Sequence, residues 1–352
     1  MSIEKAALSS LIKKSRVHLY KPIQIAEILY KYRIGHDGLD LTELETYRTK
    51  SKRWRDDITS EFIHTVSTSS AKFQDNLFDA NAIPPETLYA LGQINNAHNG
   101  VVEAYVYKKF EEKHFQLNNA LNYCIDTDIT DFDAQSFVGL FTAEAGLKRS
   151  LDKIFEILVY SLFEVLTTSL QVTVEVFSDV DDQGLVKEFE EFANAVLQLS
   201  DDNGFRNTGF AHFHRAGVTN AADRGLDMYS NFGPIVQVKH ITLDQTVAED
   251  ITQTVTANNI VIVCREAEAQ IITSILGQVG WGRRIQSIVT FEQLYEWYEI
   301  ALKGDYAHLL AETLKNTLEG EIRAEFPVIG NDDFTNFMND RGYNDVDMAS
   351  FI

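Results

Sequence analysis

Residues 226–241 constrain this chain more than any other stretch. Two short runs of alternating apolar residues meet at a tight corner, a pattern that two neighbouring strands satisfy. Leu226 to Tyr229 leads in, and the corner Asn231-Phe232-Gly233-Pro234 joins two strong turn formers. Residues 235–241 then lead out. With a repeat of two, Ile235, Gln237 and Lys239 share one face of the second strand, and Val236, Val238 and His240 share the other. Asp227 enters beside them on the first strand. A carboxylate, an amide oxygen and an ammonium group are thereby expected on one patch of sheet backbone.

That trio has a chemical use. Asp227 and the Gln237 oxygen suit a hard divalent cation such as Mg²⁺, which takes oxygen ligands. Lys239 can orient or deprotonate a water, or neutralise charge growing on a phosphate. The spacing resembles the nuclease signature PD-(D/E)XK, with two departures. Leu226 rather than Pro precedes Asp227, and Gln237 stands where an acid is usual, which removes one negative charge from the metal site. Taken alone, the pattern is weak, and a half-buried strand with a solvated lysine is the commoner reading.

Longer stretches carry more information. Residues 215–240, residues 14–27 (KSRVHLYKPIQIAE) and residues 45–55 (ETYRTKSKRWR) closely resemble the HaeII-type type II restriction endonucleases, and together they span most of the chain. The resemblance implies a PD-(D/E)XK-like α/β fold with a mixed central sheet flanked by helices, and Mg²⁺-dependent cleavage of double-stranded DNA. The family's namesake cuts purine-GCGC-pyrimidine, so a short palindrome is the implied target, and a twofold target implies a homodimer. The competing reading is a non-catalytic acidic α/β module for protein interaction.

The charge balance bears on that choice. The 352 residues carry a formal charge of −21, and DNA-binding proteins usually present a basic field. A local basic cleft on an acidic body still binds, and an acidic exterior suppresses loose adhesion. The most basic stretch is 47–55, in which Arg48, Lys50, Lys52, Arg53 and Arg55 occur without an intervening acid. It reads as a phosphate-contacting surface, with Tyr47 and Trp54 placed to stack on nucleotides, or as a solvated face.

Three regions are expected. Residues 1–125 read as a mostly helical, DNA-contacting region, with helices before and after a break near Pro22 and a second pair broken near residues 95–100. The acidic linker 126–133 lacks the glycine and closing glutamate of a calcium loop. Residues 126–330 read as the α/β nuclease core. Helices are expected over 147–170, 184–199, 245–257, 267–276 and 291–319, strands over 172–177, 259–264 and 284–290, and a loop over 203–220. Residues 331–352 read as a polar tail.

Other candidates stand near this core. Asp152, Glu156 and Glu164 lie on the helix before the first strand, and Glu156 is the chosen third metal ligand. His212 and His214 share a strand face at a spacing that could ligate a metal. Arg215, Arg224 and His240 are placed to contact the DNA backbone, and Arg283 and Arg284 to read guanine edges. Cys124 and Cys264 show no metal-ligand spacing and read as reduced, buried thiols. With no secretion signal and no long apolar run, a cytoplasmic protein away from membranes is expected.

Overall fold

The computed structural model describes every residue except 1, 65, 68–75, 144–146, 181–182, 217–225, 255–256, 258, 268–283, 327–330 and 352. The chain divides into two compact units. One comprises residues 1–154, 219–221 and 319–352, and the other residues 155–218 and 222–318.

The first unit is helical. Its helices are α1 (Ile3–Lys14), α2 (Tyr20–Arg33), α3 (Lys50–Phe62), α4 (Pro85–Ala97), α5 (Val101–Asp126) and α6 (Ala134–Ala143). The break between α1 and α2 falls at residues 15–19 rather than at Pro22. Pro22 sits in the first turn of α2, where a missing N–H costs nothing. Pro85 opens α4 in the same way. Buried residues of α2 and α5, with Phe62, Leu88 and Leu91, form the core. The last residues of the chain join it. After α7 (Leu151–Ser169), whose first turns belong here, and the long helix described below, α13 (Asn331–Asp340) inserts Phe334, Phe337 and Met338, and Tyr343 and Phe351 follow. The segment read as a polar tail is therefore packed structure.

The second unit carries the sheet. In chain order it holds α7, β1 (Thr173–Phe177), α8 (Gln183–Glu188), α9 (Glu190–Leu197), β2 (Arg206–Phe210), β3 (Phe213–Arg215), β4 (Met228–Ser230) and β5 (Ile235–Leu243). Then come α10 (Gln245–Thr254), β6 (Ile260–Ala267), β7 (Ile285–Thr290), α11 (Phe291–Lys303) and α12 (Ala307–Glu325), which runs on into the first unit. Five strands lie in the order β3-β4-β5-β6-β7. The β3-β4-β5 pairs are antiparallel and the β5-β6-β7 pairs parallel. The run Ile260 to Cys264 is buried on both faces, as a central parallel strand requires. On one face, Ile260, Ile262 and Cys264 pack with Ala248 and Ile251 of α10. Leu151, Ile154, Phe155, Leu158, Leu162 and Val165 give α7 a buried stripe at helical spacing. Phe155 stacks on Phe291 with ring centres 3.9 Å apart, and the Tyr298 hydroxyl donates to the Leu158 carbonyl.

Three expectations change here, the first being that the helix expected over 291–319 is two helices, α11 and α12, separated at residues 304–306. The 203–220 loop contains β2 and β3, and the helix expected over 184–199 is two short helices separated at Phe189. The helix expected over 267–276 lies outside the described residues, apart from Ala267, which ends β6.

Candidate active site

The β4–β5 pair forms, although β4 begins at Met228 rather than at Leu226, so Asp227 precedes the strand instead of lying on it. Met228 pairs with Val236 and Tyr229 with Ile235. Gly233, at φ +118°, makes the corner, and the Ser230 N–H and hydroxyl both donate to the Pro234 carbonyl, at 3.0 and 2.8 Å. Asp227 and Gln237 are the next positions along this register and so stand opposite each other. The β4 ladder stops short of them, and the Asp227 carboxylate takes over: its Oδ2 accepts the Val238 main-chain N–H at 2.8 Å. The Asp227 carbonyl accepts the Ala216 N–H at 2.9 Å, which ties the residue to β3 as well. The residue is thus tied to β5 through its carboxylate and to the end of β3 through its carbonyl.

Gln237 is 1% exposed, and Lys239 next on that face is half-buried. Their neighbours on β6 are Ile262 and Cys264. Between Lys239 and Thr242 the register with β6 slips, so a strand irregularity falls immediately after the lysine and leaves His240 exposed. Such irregularities re-aim side chains at sheet ends. By strand register, a buried glutamine and a half-buried lysine therefore share one face of β5, opposite and beside an acid anchored by main chain.

The donor set suits Mg²⁺ better than zinc. Asp227 and Gln237 offer only oxygen, and Mg²⁺ keeps several waters or phosphate oxygens beside one or two protein ligands. Among the described residues no three His, Cys, Asp or Glu side chains gather as a metal cluster. The helix acids separate in character. Asp152 is exposed and Glu156 is buried, although one turn of helix joins them. Glu164 is engaged: its Oε1 lies 2.7 Å from His212 Nδ1, and its Oε2 accepts the Phe213 N–H at 2.7 Å. The His212 N–H donates to Asn231 Oδ1, whose amide group in turn donates to the Phe210 carbonyl. His212 thus joins α7 to the start of β3 and to the β4–β5 corner rather than pairing with His214 on a metal. Sequence reasoning passed over Asn231 and the task of Glu164. The signal was available in Glu164 itself, an acid inside the apolar run of α7.

The basic cluster divides on α3. Lys50 and Arg53 are exposed, Lys52 is half-buried, and Arg48 is 3.2 Å from Glu45. Arg55 is 1% exposed. Its guanidinium donates twice to Asp56 Oδ1, at 2.8 and 2.6 Å, and once to Gln24 Oε1. Burial withdraws it from phosphate contact, and Tyr47, packed edge-on against Phe78, cannot stack on a base. Arg215 is half-buried on β3, and the Arg284 Nε donates to the Ala257 carbonyl at 3.0 Å. Arg224 and Arg283 lie outside the described residues. Cys124 and Cys264 are buried and form no disulfide among the described residues, as expected. No helix among the described residues is long and apolar enough to cross a membrane.

A helix, an antiparallel strand triplet, then a helix and parallel strands, with Asp227 just before the second strand of the triplet and Lys239 on the third, is a mixed α/β arrangement consistent with a restriction endonuclease fold. Comparison with known proteins makes the assignment specific. The family model described as HaeII restriction endonuclease matches residues 4–343. The type II restriction enzyme NgoBI of Neisseria gonorrhoeae is 49% identical over 99% of this chain and 98% of its own. The type II restriction enzyme HaeII of Haemophilus aegyptius is 46% identical over 98% of this chain and 97% of its own. The chain belongs to the HaeII restriction endonuclease family, and its enzyme class is that of the type II site-specific deoxyribonucleases. No solved structure matches it.

Proposed function

We propose that this enzyme cuts both strands of a short palindrome in double-stranded DNA, of the purine-GCGC-pyrimidine kind, using Mg²⁺ held by Asp227 and Gln237. The observation that carries the reading is the β4–β5 arrangement, in which Asp227 is fixed by the Val238 N–H opposite a buried Gln237 and two positions from Lys239. Bound there, the cation supplies Lewis-acid stabilisation of charge on the scissile phosphate. Asp227 and Gln237 would hold the cation there through their side-chain oxygens. Lys239, with water access, positions the attacking water and offsets charge on the phosphoryl oxygens. Glu156 remains the candidate third ligand.

The helical region 1–125 is assigned to gripping DNA through Arg48, Lys50, Lys52 and Arg53, whose charges stand out in a chain of −21. Arg215, Arg224 and His240 are assigned to the backbone near the cut, and Arg283 and Arg284 to base edges. A twofold target calls for two copies of the chain, each cutting one strand. Incubating the protein with plasmid DNA, with and without Mg²⁺, tests the whole reading. Discrete fragments that appear only with the cation support it. Intact DNA at high protein concentration would instead favour the non-catalytic interaction module.

A further inference from the structure

We propose that residues 170–211 form the arm through which a second copy of this chain docks, with the apolar stripe of α8 and α9 packed antiparallel on its own twofold image. The inference rests on the twofold reading above and deepens it. This segment is an excursion between α7 and β3, closed at its base by the Ala211 N–H donating to the Val172 carbonyl at 2.9 Å. Inside it lies little core: Ala193, Leu199 and Phe205, with Val186 against them. Its sheet is the two-stranded pair β1-β2, and an isolated two-stranded sheet is at best marginally stable in water.

Against that small core stands a large exposed apolar surface. Leu185, Phe189, Phe192 and Val196 are each more than half exposed, and Phe177 and Phe210, on one face of the strand pair by its register, are 48% and 62% exposed. Taking side chains of ~150–200 Å² each, the four of the stripe present on the order of 400 Å², about half of the ~800 Å² per partner that a standard stable interface buries. Phe177 and Phe210 add about 200 Å² of exposed apolar surface on the strand pair. Patches of this size are often functional.

Charge and spacing choose the occupant. Residues 170–211 carry nine acids (Glu175, Asp179, Asp181, Asp182, Glu188, Glu190, Glu191, Asp201 and Asp202) against Lys187 and Arg206, so the surface repels DNA. The stripe falls at positions 185, 189, 192 and 196, a 4-3-4 spacing that reads the same in both directions. An antiparallel copy therefore sets Leu185 against Val196 and Phe189 against Phe192, as a self-complementary twofold contact requires.

Light scattering on the full chain, without DNA or metal, tests this. The wild type is expected to be a dimer at micromolar concentration. The double variant Phe189→Glu/Phe192→Glu should be monomeric with an unchanged circular dichroism spectrum. Phe192→Ser, a milder change at an exposed position, should weaken the dimer by about tenfold or more. Ile300→Glu/Leu309→Glu, on the other exposed apolar face of this unit, should leave the dimer intact. A monomeric wild type at tens of micromolar, a dimer that survives the phenylalanine changes, or one dissolved by the Ile300 and Leu309 changes would each overturn the proposal. Plasmid cleavage by the wild type is scored separately. A dimer that does not cut leaves the arm standing, and a monomer that cuts leaves the nuclease reading standing.

Discussion

Asp227 and Val238 are joined by a hydrogen bond that takes over where the strand ladder ends: the Val238 N–H donates to Asp227 Oδ2 at 2.8 Å, one step beyond the Met228–Val236 pair. The acid assigned to the metal thus also completes the backbone of the strand that carries Gln237 and Lys239. Any substitution at Asp227 touches both tasks, and the two can be separated.

Asp227→Asn keeps an oxygen for the Val238 N–H and removes the negative charge. It should fold with wild-type stability while cleavage falls by about 10²–10³-fold or more. Asp227→Ala should lose cleavage as well and also about 1–3 kcal/mol of stability, because the Val238 N–H is left without its acceptor. Urea unfolding beside a plasmid assay separates the two. Full activity in Asp227→Asn would place the site elsewhere.

Lys239→Ala should abolish cleavage and leave cognate duplex binding, measured in Ca²⁺, within a few-fold of wild type. Gln237→Glu adds a charge at a position that is 1% exposed. Burial there opposes ionisation unless a cation is near, so the variant should melt lower than wild type without metal and gain more in Tm on adding Mg²⁺. Cleavage should persist. Equal loss in Gln237→Ala and Gln237→Glu, with no metal-dependent gain in Tm, would show that the amide serves hydrogen bonding instead.

How much of this was readable beforehand depends on what each residue's neighbours are. The β5, β6 and β7 strands announce themselves because alternation or a continuous apolar run marks them whatever packs on them. The β3 strand is three residues long with a histidine in it, and only its pairing with β4 makes it a strand. Phe334, Phe337 and Tyr343 lie thinly among acids and amides, so their shared burial is a property of the folded unit rather than of the segment. Asp227, Gln237 and Lys239 could be nominated because a strand's period of two depends on no distant contact. Arg55 could not be told from Arg53, since a basic run looks alike from every side until Gln24 and Asp56 enclose one member.

That difference within α3 is measurable. Lys50→Ala/Arg53→Ala should weaken binding to cognate and scrambled duplexes alike and reduce the salt slope of log affinity by roughly one unit per lost contact. Arg55→Ala should leave the slope unchanged and cost about 1–3 kcal/mol of stability, because it strands the Gln24 oxygen and empties a packed site. Arg284→Ala, if the residue reads guanine, should erode the cognate preference by about 1–3 kcal/mol with little change in slope. An unchanged slope in the Lys50 and Arg53 variant reduces that surface to solvated charge.

Acid should destabilise the helical unit through His18 and His114. Their ring centres are 5.5 Å apart, His114 is 2% exposed, and its ring also packs 4.3 Å from Phe110. Among the described residues, neither nitrogen of His114, nor Nδ1 of His18, has a hydrogen-bond partner. Burial, and after it the positive charge of Arg16, lowers the His18 pKa to about 4, while burial, His18 and Lys113 hold His114 well below its usual value. Both are therefore neutral when folded at pH 7, and the unfolded chain binds the extra protons. The contribution is present in full above pH ~6.5, the unfolded value, and is lost as pH falls from there towards 4. For His18 alone the loss can reach on the order of 2–3 kcal/mol. Urea midpoints at pH 7.5, 6 and 5 should fall in that order. His114→Leu, which removes one of the two proton sites, should flatten the fall. A His114→Leu profile parallel to that of the wild type would mean that other groups govern the acid limb.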